Sequence, residues 1–442
     1  MTFSSSVLFA SRLLFPRTGK KSNARRSLFG ALFCIGISLV PLVMVLAVSN
    51  GMIKGITERM IGLSSSHLQL VLYPNSEYAE TADSLRTLSD SILAYDSSVK
   101  NVYPELQGIG LASSSKGRFG ASIRAMESDV FERNEAFKNL FEVLEGSVDL
   151  KSKNACVLGK KIASDLGVHP GDTVRLITTK ENPSGKAVPK ITALKVSGIV
   201  SSGYQELDSL WLFVSLENGF KILSSNSATV AVGIETDDAF SMDLEKNYRN
   251  LHPFLGAIGK LYRWNDLNSA QYENFASTQI MLIFIMMLIV LVASVNISSA
   301  LVMLVMERKK EIAILKSLGG TSNGIAVSFI ITGAVTGFFG VLFGLPLGLI
   351  ASVHFSAIMG GIERLVNLFV RLFYLVTEGS LANYAIVSLL DPAFYLQNIP
   401  LVIPVPQVIL IGVGTVVLSL LVSVIPALKA GKEKPIETLR KI

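Results

Sequence analysis

Residues 276–320 read ASTQIMLIFIMMLIVLVASVNISSALVMLVM followed by ERKKEIAILKSLGG. No charge occurs from Ala276 to Met306, and then charges crowd in at Glu307, Arg308, Lys309 and Lys310. A helix needs about 20 mostly apolar residues to cross a hydrocarbon core about 30 Å thick. This run is longer, so it reads as a spanning helix that tilts or projects beyond the bilayer as a stalk. Three more uncharged stretches meet the same requirement: Ser27–Ser49, Gly324–Ser352 and Val405–Ala427. Hydrophobic residues make up 50% of the 442-residue chain and charged ones 17%, against about 25% charged in ordinary soluble domains. The expected class is a membrane protein with four transmembrane α-helices and a large α+β domain between the first and second.

A cleaved signal peptide would have an apolar core of about 7–15 residues, shorter than Ser27–Ser49. A lipoprotein signal also fits poorly, because Phe33 precedes Cys34 where a small residue is required. The first stretch therefore reads as an uncleaved anchor.

Basic residues near span ends collect on the cytoplasmic side. Arg12, Arg17, Lys20, Lys21, Arg25 and Arg26 precede the first span with no acidic residue among them. Arg308, Lys309, Lys310 and Lys316 outnumber Glu307 and Glu311 between the second and third, and Lys429, Lys432, Lys434, Arg440 and Lys441 follow the fourth. The net charge of +6 is thus a topology signal and not a nucleic-acid footprint. The expected organisation is a cytoplasmic segment 1–26, TM1 at 27–49, an outer domain 50–275 and TM2 at 276–306. A cytoplasmic loop 307–323, TM3 at 324–352, an outer segment 353–404, TM4 at 405–427 and a cytoplasmic tail 428–442 complete it. Residues 365–390 are rather apolar, but Arg371 and Glu378 interrupt them. A charge at mid-bilayer is costly, so this segment is expected to lie on the membrane surface.

In the outer domain, Leu68–Tyr73 and Lys195–Val200 read as strands, with a turn at Ser201-Ser202-Gly203, and Asp129–Leu144 has helical apolar spacing. No phosphate-binding G-x-x-x-x-G-K-[ST] motif and no nucleophile elbow occur. His67, His169, His252 and His354 stand singly, without metal-ligand spacing. Cys34 lies in a span and Cys156 in the domain, so no disulfide framework is expected. Neither catalysis, nor a metal, nor any other cofactor is expected of this chain.

Two patterns carry candidate function. Gly333, Gly337, Gly340, Gly344 and Gly348 fall on one face of TM3, the small-residue spacing that lets helix backbones approach closely. The partner on that face is either a helix of the same chain or another subunit. In the loop, Ile312, Leu315 and Lys316 share one face of a short amphipathic helix, which from pattern alone suits lipid slightly better than a partner's groove.

The chain also resembles the LolC/LolE permeases, relatives of MacB and FtsX among ABC transporter subunits. Leu46–Met52, Ile61-Gly62-Leu63-Ser64 and His67 are similar to the family's N-G-[FM]…I-L-G-L-x-x-H segment. Leu158-Gly159-Lys160 with Leu166-Gly167-Val168-His169-Pro170-Gly171-Asp172 resembles its G-x-x-L-A-x-x-L-G-V-x-x-G-D element, and Val196–Ile199, Gly203, Glu206 and Asp208 the strand and turn that follow. Glu307–Gly319 resembles its E-[KR]-x-x-[DE]-I-A-I-L-[KR]-x-[ML]-G loop. Asp391–Tyr395 with Ile399-Pro400, and Pro426-Ala427 with Pro435–Arg440, resemble its closing motifs.

The resemblance implies a MacB-like periplasmic domain and an inner-membrane location. It implies a second permease subunit, identical or different, and a cytoplasmic LolD-like ABC ATPase dimer that hydrolyses the ATP. Lipoprotein cargo would pass to a periplasmic carrier of the LolA type, although Thr178–Lys190 does not match the hook with which the LolC branch holds that carrier. The ATPase-coupling residues would be Glu307, Arg308, Lys309, Glu311, Ile312, Leu315, Lys316 and Gly319, which turns the loop helix from lipid to the ATPase. Lipid or lipoprotein contact would fall at Val43, Leu46, Ala47 and Met52. A MacB-like efflux subunit and an FtsX-like regulator of a cell-wall hydrolase are the alternatives; the first usually carries its own ATPase domain and the second a much smaller outer domain.

Overall fold

A computed structural model describes residues 3–14, 23–181, 187–224, 228–377, 387–389 and 399–433. The chain divides into two compact units, Met1–Gly51 with Phe275–Leu389 and Pro400–Ile442, and Met52–Asn274 with Leu390–Ile399.

The first unit is helical. Hydrocarbon offers no partners to backbone N–H and C=O groups, so uncharged runs in lipid must satisfy them internally. Among the described residues four helices are long and apolar enough to cross a membrane: TM1 in Asn23–Met60, TM2 in Ser269–Glu307, TM3 in Ser322–Val353 and TM4 in Val405–Lys432. TM2 has 39 residues, about 58 Å at 1.5 Å per residue, well beyond the bilayer core. TM3 continues through Pro346 without a break. A short helix, Phe3–Leu14, precedes TM1; another, Lys309–Ser317, joins TM2 to TM3; and a third, Phe355–Thr377, follows TM3.

The glycine face of TM3 meets helices of the same chain. A Cβ on Gly333 would lie 1.8 Å from the Ser423 hydroxyl oxygen, and one on Gly337 2.5 Å from that of Ser419, both on TM4. On Gly340, Gly344 and Gly348 it would lie 2.8 Å from Ile35, 2.9 Å from the Gly36 carbonyl and 2.8 Å from Val43, all on TM1. The facing serines do not compete for interhelical partners. Ser423 donates to the Ser419 carbonyl at 2.6 Å and Ser419 to that of Thr415 at 2.7 Å.

The second unit is built on a mixed ten-stranded sheet: β1 Leu68–Leu72, β2 Asn101–Ser113, β3 Arg118–Met126, β4 Glu142–Gly146, β5 Ala155–Gly159, β6 Thr173–Glu181, β7 Ala187–Ser201, β8 Trp211–Ser215, β9 Thr229–Glu235 and β10 Gly259–Arg263. The order is β10-β1-β9-β2-β3-β8-β5-β7-β4, with β6 against β2 and β7. β3–β8 and β5–β7 are parallel. One apolar core joins the sheet to helices Ala82–Tyr95, Lys160–Leu166 and Asp243–Leu255; a second, aromatic one surrounds Phe213.

The helix expected over Asp129–Leu144 is corrected. Helices occupy Val130–Arg133 and Glu135–Leu140, and Glu142–Gly146 is a strand on β7. Asn134 is extended, and its side chain accepts the Phe137 N–H at 3.1 Å, restarting the helix. The apolar period survives because Phe131, Phe137 and Phe141 all enter the aromatic core.

Candidate functional site: the ends of the spanning helices

At the loop end, the Lys309–Ser317 helix is held against the helical unit. Ile312 and Ala313 are 0% and 1% exposed, and Ile312 joins the core that contains Leu304, Ile325 and Phe329. Lys316 Nζ donates to the carbonyls of Gly431 (2.6 Å) and Glu433 (2.8 Å) at the end of TM4, where the helix dipole favours a cation. Lys309 lies 3.1 Å from the Glu433 carboxylate, and Arg308 pairs with Glu311. Gly319 takes φ 93°, a left-handed stop, and Gly320 N–H bonds the Leu315 carbonyl at 2.9 Å.

The expected coupling residues therefore part company. Ile312 is buried and Lys316 fastens the loop to TM4, Leu315 and Arg308 are half-buried, and Glu307, Lys309, Glu311 and Gly319 are exposed. Ile314 and Leu318, 52% and 83% exposed, share the outer face with Glu311. Sequence reasoning missed both, although two apolar residues four apart on the face opposite Ile312 were a usable signal.

At the domain end, TM1 passes into a π-helical turn, Ile61–Ser65, and Ser66 takes φ 53°. Leu63 is buried in a cluster with Phe131, Phe137, Phe141, Trp211 and Phe213, whose contacting rings lie 5.2–6.1 Å apart. A helix ending inside a core leaves carbonyls without partners. Arg124 on β3 supplies one by donating to the Leu63 carbonyl. The same guanidinium makes two bonds, 2.5 and 2.8 Å, to Glu105 on β2 and lies 4.6 Å from the Trp211 ring centre. The side chains of Arg124 and Glu105 are 3% and 5% exposed, so the charges are paired because water is excluded.

The histidine and glycine motifs are structural. His67 Nδ1 accepts the Thr236 N–H at 3.1 Å and lies 3.0 Å from the Thr236 hydroxyl, tying the start of β1 to the end of β9. Burial lowers its pKa, and an accepting Nδ1 places the proton on Nε2. Gly167, at φ 60°, closes the Lys160–Leu166 helix. Asp172 accepts the His169 N–H at 2.9 Å. A Cβ on Gly159 would lie 2.4 Å from the Asp208 carbonyl, and the Asp208 carboxylate accepts from the hydroxyls of Ser201 and Ser202, both at 2.7 Å. Among the described residues no group of three metal-ligating side chains occurs.

Val43, Leu46 and Ala47 are 1%, 3% and 1% exposed inside the helical unit. In this chain their surface is covered by its own helices: a Cβ on Gly348 of TM3 would lie 2.8 Å from Val43. Met52, in the second unit, is half-buried. The helical unit instead holds an apolar cleft of about 330 Å³ between TM2 and TM4, with Leu42 of TM1 at its back. Met286, Met287 and Val290 line one wall, and Leu410, Gly414 and Leu418 the other. Gln407 lines it as well and accepts from Asn50 at 3.3 Å; Asn50 in turn accepts from Gln279 at 3.3 Å, joining TM1, TM2 and TM4. The Thr178–Lys190 loop lies partly, and the segments Asp391–Tyr395 and Pro435–Arg440 wholly, outside the described residues.

Two family descriptions match: the MacB-like periplasmic core domain over residues 28–245 and the FtsX-like permease C-terminal over residues 283–435. The lipoprotein-releasing system transmembrane protein LolC of Xylella fastidiosa (strain 9a5c) is 26% identical over 288 residues, and the match spans 64% of this chain and 64% of that relative's length. LolC of Neisseria meningitidis serogroup B is 25% identical over 95% of this chain and 96% of its own. LolE of Haemophilus influenzae is 23% identical, also over 95% of this chain and 96% of its own. Four candidate spans, a MacB-like periplasmic core domain between the first and second and an FtsX-like permease C-terminal region make the chain similar, over 95% of its length, to the LolC and LolE permeases.

Proposed function

We propose that this chain is the permease subunit of an ABC transporter that extracts lipoproteins from the inner membrane and passes them toward a periplasmic carrier, driven by a separate ATPase dimer. The observation that carries the reading is the loop helix. Its inner face buries Ile312 in the core of the helical unit and is fastened to TM4 by Lys316, and its outer side presents Glu311, Ile314 and Leu318. A helix so clamped transmits a push on its outer side to TM2 and TM4 rather than folding away. The loop and both termini then face the cytoplasm, and the MacB-like domain faces the periplasm. A second permease subunit completes the assembly.

The apolar cleft between TM2 and TM4 takes an acyl chain of the cargo, in place of the buried TM1 residues. Moving acyl chains from lipid into water costs about 0.8 kcal/mol per CH₂, so release requires work. The chain reconstituted with its second permease and ATPase should release a triacylated lipoprotein from vesicles to a soluble carrier on ATP addition. Met287→Trp and Gly414→Leu, which fill the cleft, should depress release while leaving basal ATP hydrolysis unchanged. Release at the unmodified rate by both variants would remove the cleft from the account; no release by the parent assembly would remove the lipoprotein reading.

A further inference from the structure

The helix Phe355–Thr377 has no part in that reading, and its two faces are unlike each other. Ile358, Ile362, Leu365, Phe369 and Leu372 fall on one side at helical spacing. Glu363, Arg364, Asn367 and Arg371 fall on the other. The polar side is engaged by the returning chain: Asn367 exchanges two 2.9 Å bonds with the backbone of Val387, and Glu363 accepts the Leu389 N–H at 3.1 Å. The apolar side is open, with Ile362, Leu365, Phe369 and Leu372 between 43% and 63% exposed. The helix begins just after the last residue of TM3, broken from it only at His354.

We propose that Phe355–Thr377 lies in the plane of the membrane, its apolar side in the acyl layer of the leaflet where TM3 ends. Three observations select lipid as the occupant. Covalent continuity with TM3 places the first turn at the membrane boundary. The side that carries the protein's own hydrogen bonds is the polar one, so the bare side faces away from the chain. Arg364 and Arg371 are exposed on the polar flank, at the level of lipid phosphates when the other flank is buried about 5–10 Å into the headgroup and acyl boundary. At 23 residues the helix is long enough to cross, but Glu363, Arg364 and Arg371 would then sit near the bilayer centre, at about 2.5–3.5 kcal/mol for each basic or Asp-like charge. Proteins sort such helices into the interface. The placement concerns this segment alone and holds whatever the cargo is.

The test is spin-label accessibility on the full chain in vesicles of phosphatidylethanolamine and phosphatidylglycerol, with Cys34→Ser as background and Cys156, fully buried, left in place. Labels go singly at Ile362→Cys, Leu365→Cys and Phe369→Cys on one side, and at Arg364→Cys and Arg371→Cys on the other. The expected result is collision with oxygen at the first set and with a water-soluble nickel chelate at the second, alternating with a period of about 3.6 residues and with constant depth along the helix. Equal access of the nickel chelate to both sets, exclusion of both reagents from the apolar set, as a second copy or another protein would cause, or depth increasing from Ile362 to Phe369, as in a fifth span, would each overturn the proposal. With two or more positions on each side, a single variant that fails to insert leaves the comparison intact.

Discussion

TM3 and the last turn of TM1 are both packed tightly, by opposite means. TM3 meets its neighbours with almost no side chain: Gly333 and Gly337 lie under the hydroxyls of Ser423 and Ser419, and Gly344 lies on the Gly36 backbone. The TM1 terminus meets the sheet through the largest side chains available, a set of Phe and Trp rings closed by a buried Arg–Glu pair. The solvents explain the difference. Lipid gives helices no hydrophobic reason to associate, so contact comes from close backbone approach. A water-exposed domain gains from burying apolar area, and the helix end it swallows must have its carbonyls satisfied from within. One contact tolerates no added carbon, and the other tolerates no lost partner.

The largest effect should follow from breaking the second contact. Glu105→Gln leaves the Arg124 charge buried without its partner, which costs about 3–5 kcal/mol. Only two tryptophans occur in the chain, Trp211 and Trp264, and both belong to the second unit. Tryptophan fluorescence during heating therefore reports that unit alone, and it should show the loss. The paired change Glu105→Leu with Arg124→Met should recover most of it; no recovery would mean that the Leu63 carbonyl, and not the charge pair, dominates.

A smaller effect, about 1–3 kcal/mol of overpacking, is expected from Gly337→Val, whose Cβ would meet Ser419. It should appear in the loss of total helical circular dichroism on heating and leave the tryptophan transition in place. A matching shift of the tryptophan transition would show that the two contacts are not separable.

The smallest is a pH effect. Burial lowers the pKa of His67 below its ordinary 6.5, so the unfolded chain binds the proton more readily. Its contribution is complete above pH 6.5 and declines as pH falls below that value, by at most about 1.4 kcal/mol per pH unit. His67→Asn, which can place a carbonyl oxygen near Thr236, should flatten that slope in the tryptophan transition. An unchanged slope would assign the acid sensitivity to another group.

The spans were readable because lipid forbids charge along a whole helix, and the glycine row because close approach has a fixed spacing. Which helices the row meets was not readable: Ser419, Ser423 and Gly36 carry no mark that pairs them with TM3. Nor was the Arg124–Glu105 pair. It arises from the β2–β3 register, which sets Arg124 opposite Gln107 and brings Glu105, two residues along, onto the same side. The helix expected over Asp129–Leu144 failed because phenylalanines at helical spacing serve equally well when two short helices and a strand converge on one core. In the loop, the apolar face at Ile312 was legible as a face, but the anchor that Lys316 makes on the end of TM4 was not.

In the proposed function the loop helix is a clamped lever whose outer face meets the ATPase. Photo-crosslinking side chains placed singly at Ile312, Ile314, Lys316 and Leu318 in the assembled transporter test it most directly. Adducts with the ATPase subunit are expected from positions 314 and 318 and adducts within the chain from 312 and 316. ATPase adducts from 312 and 316, with none from 314 and 318, would contradict it.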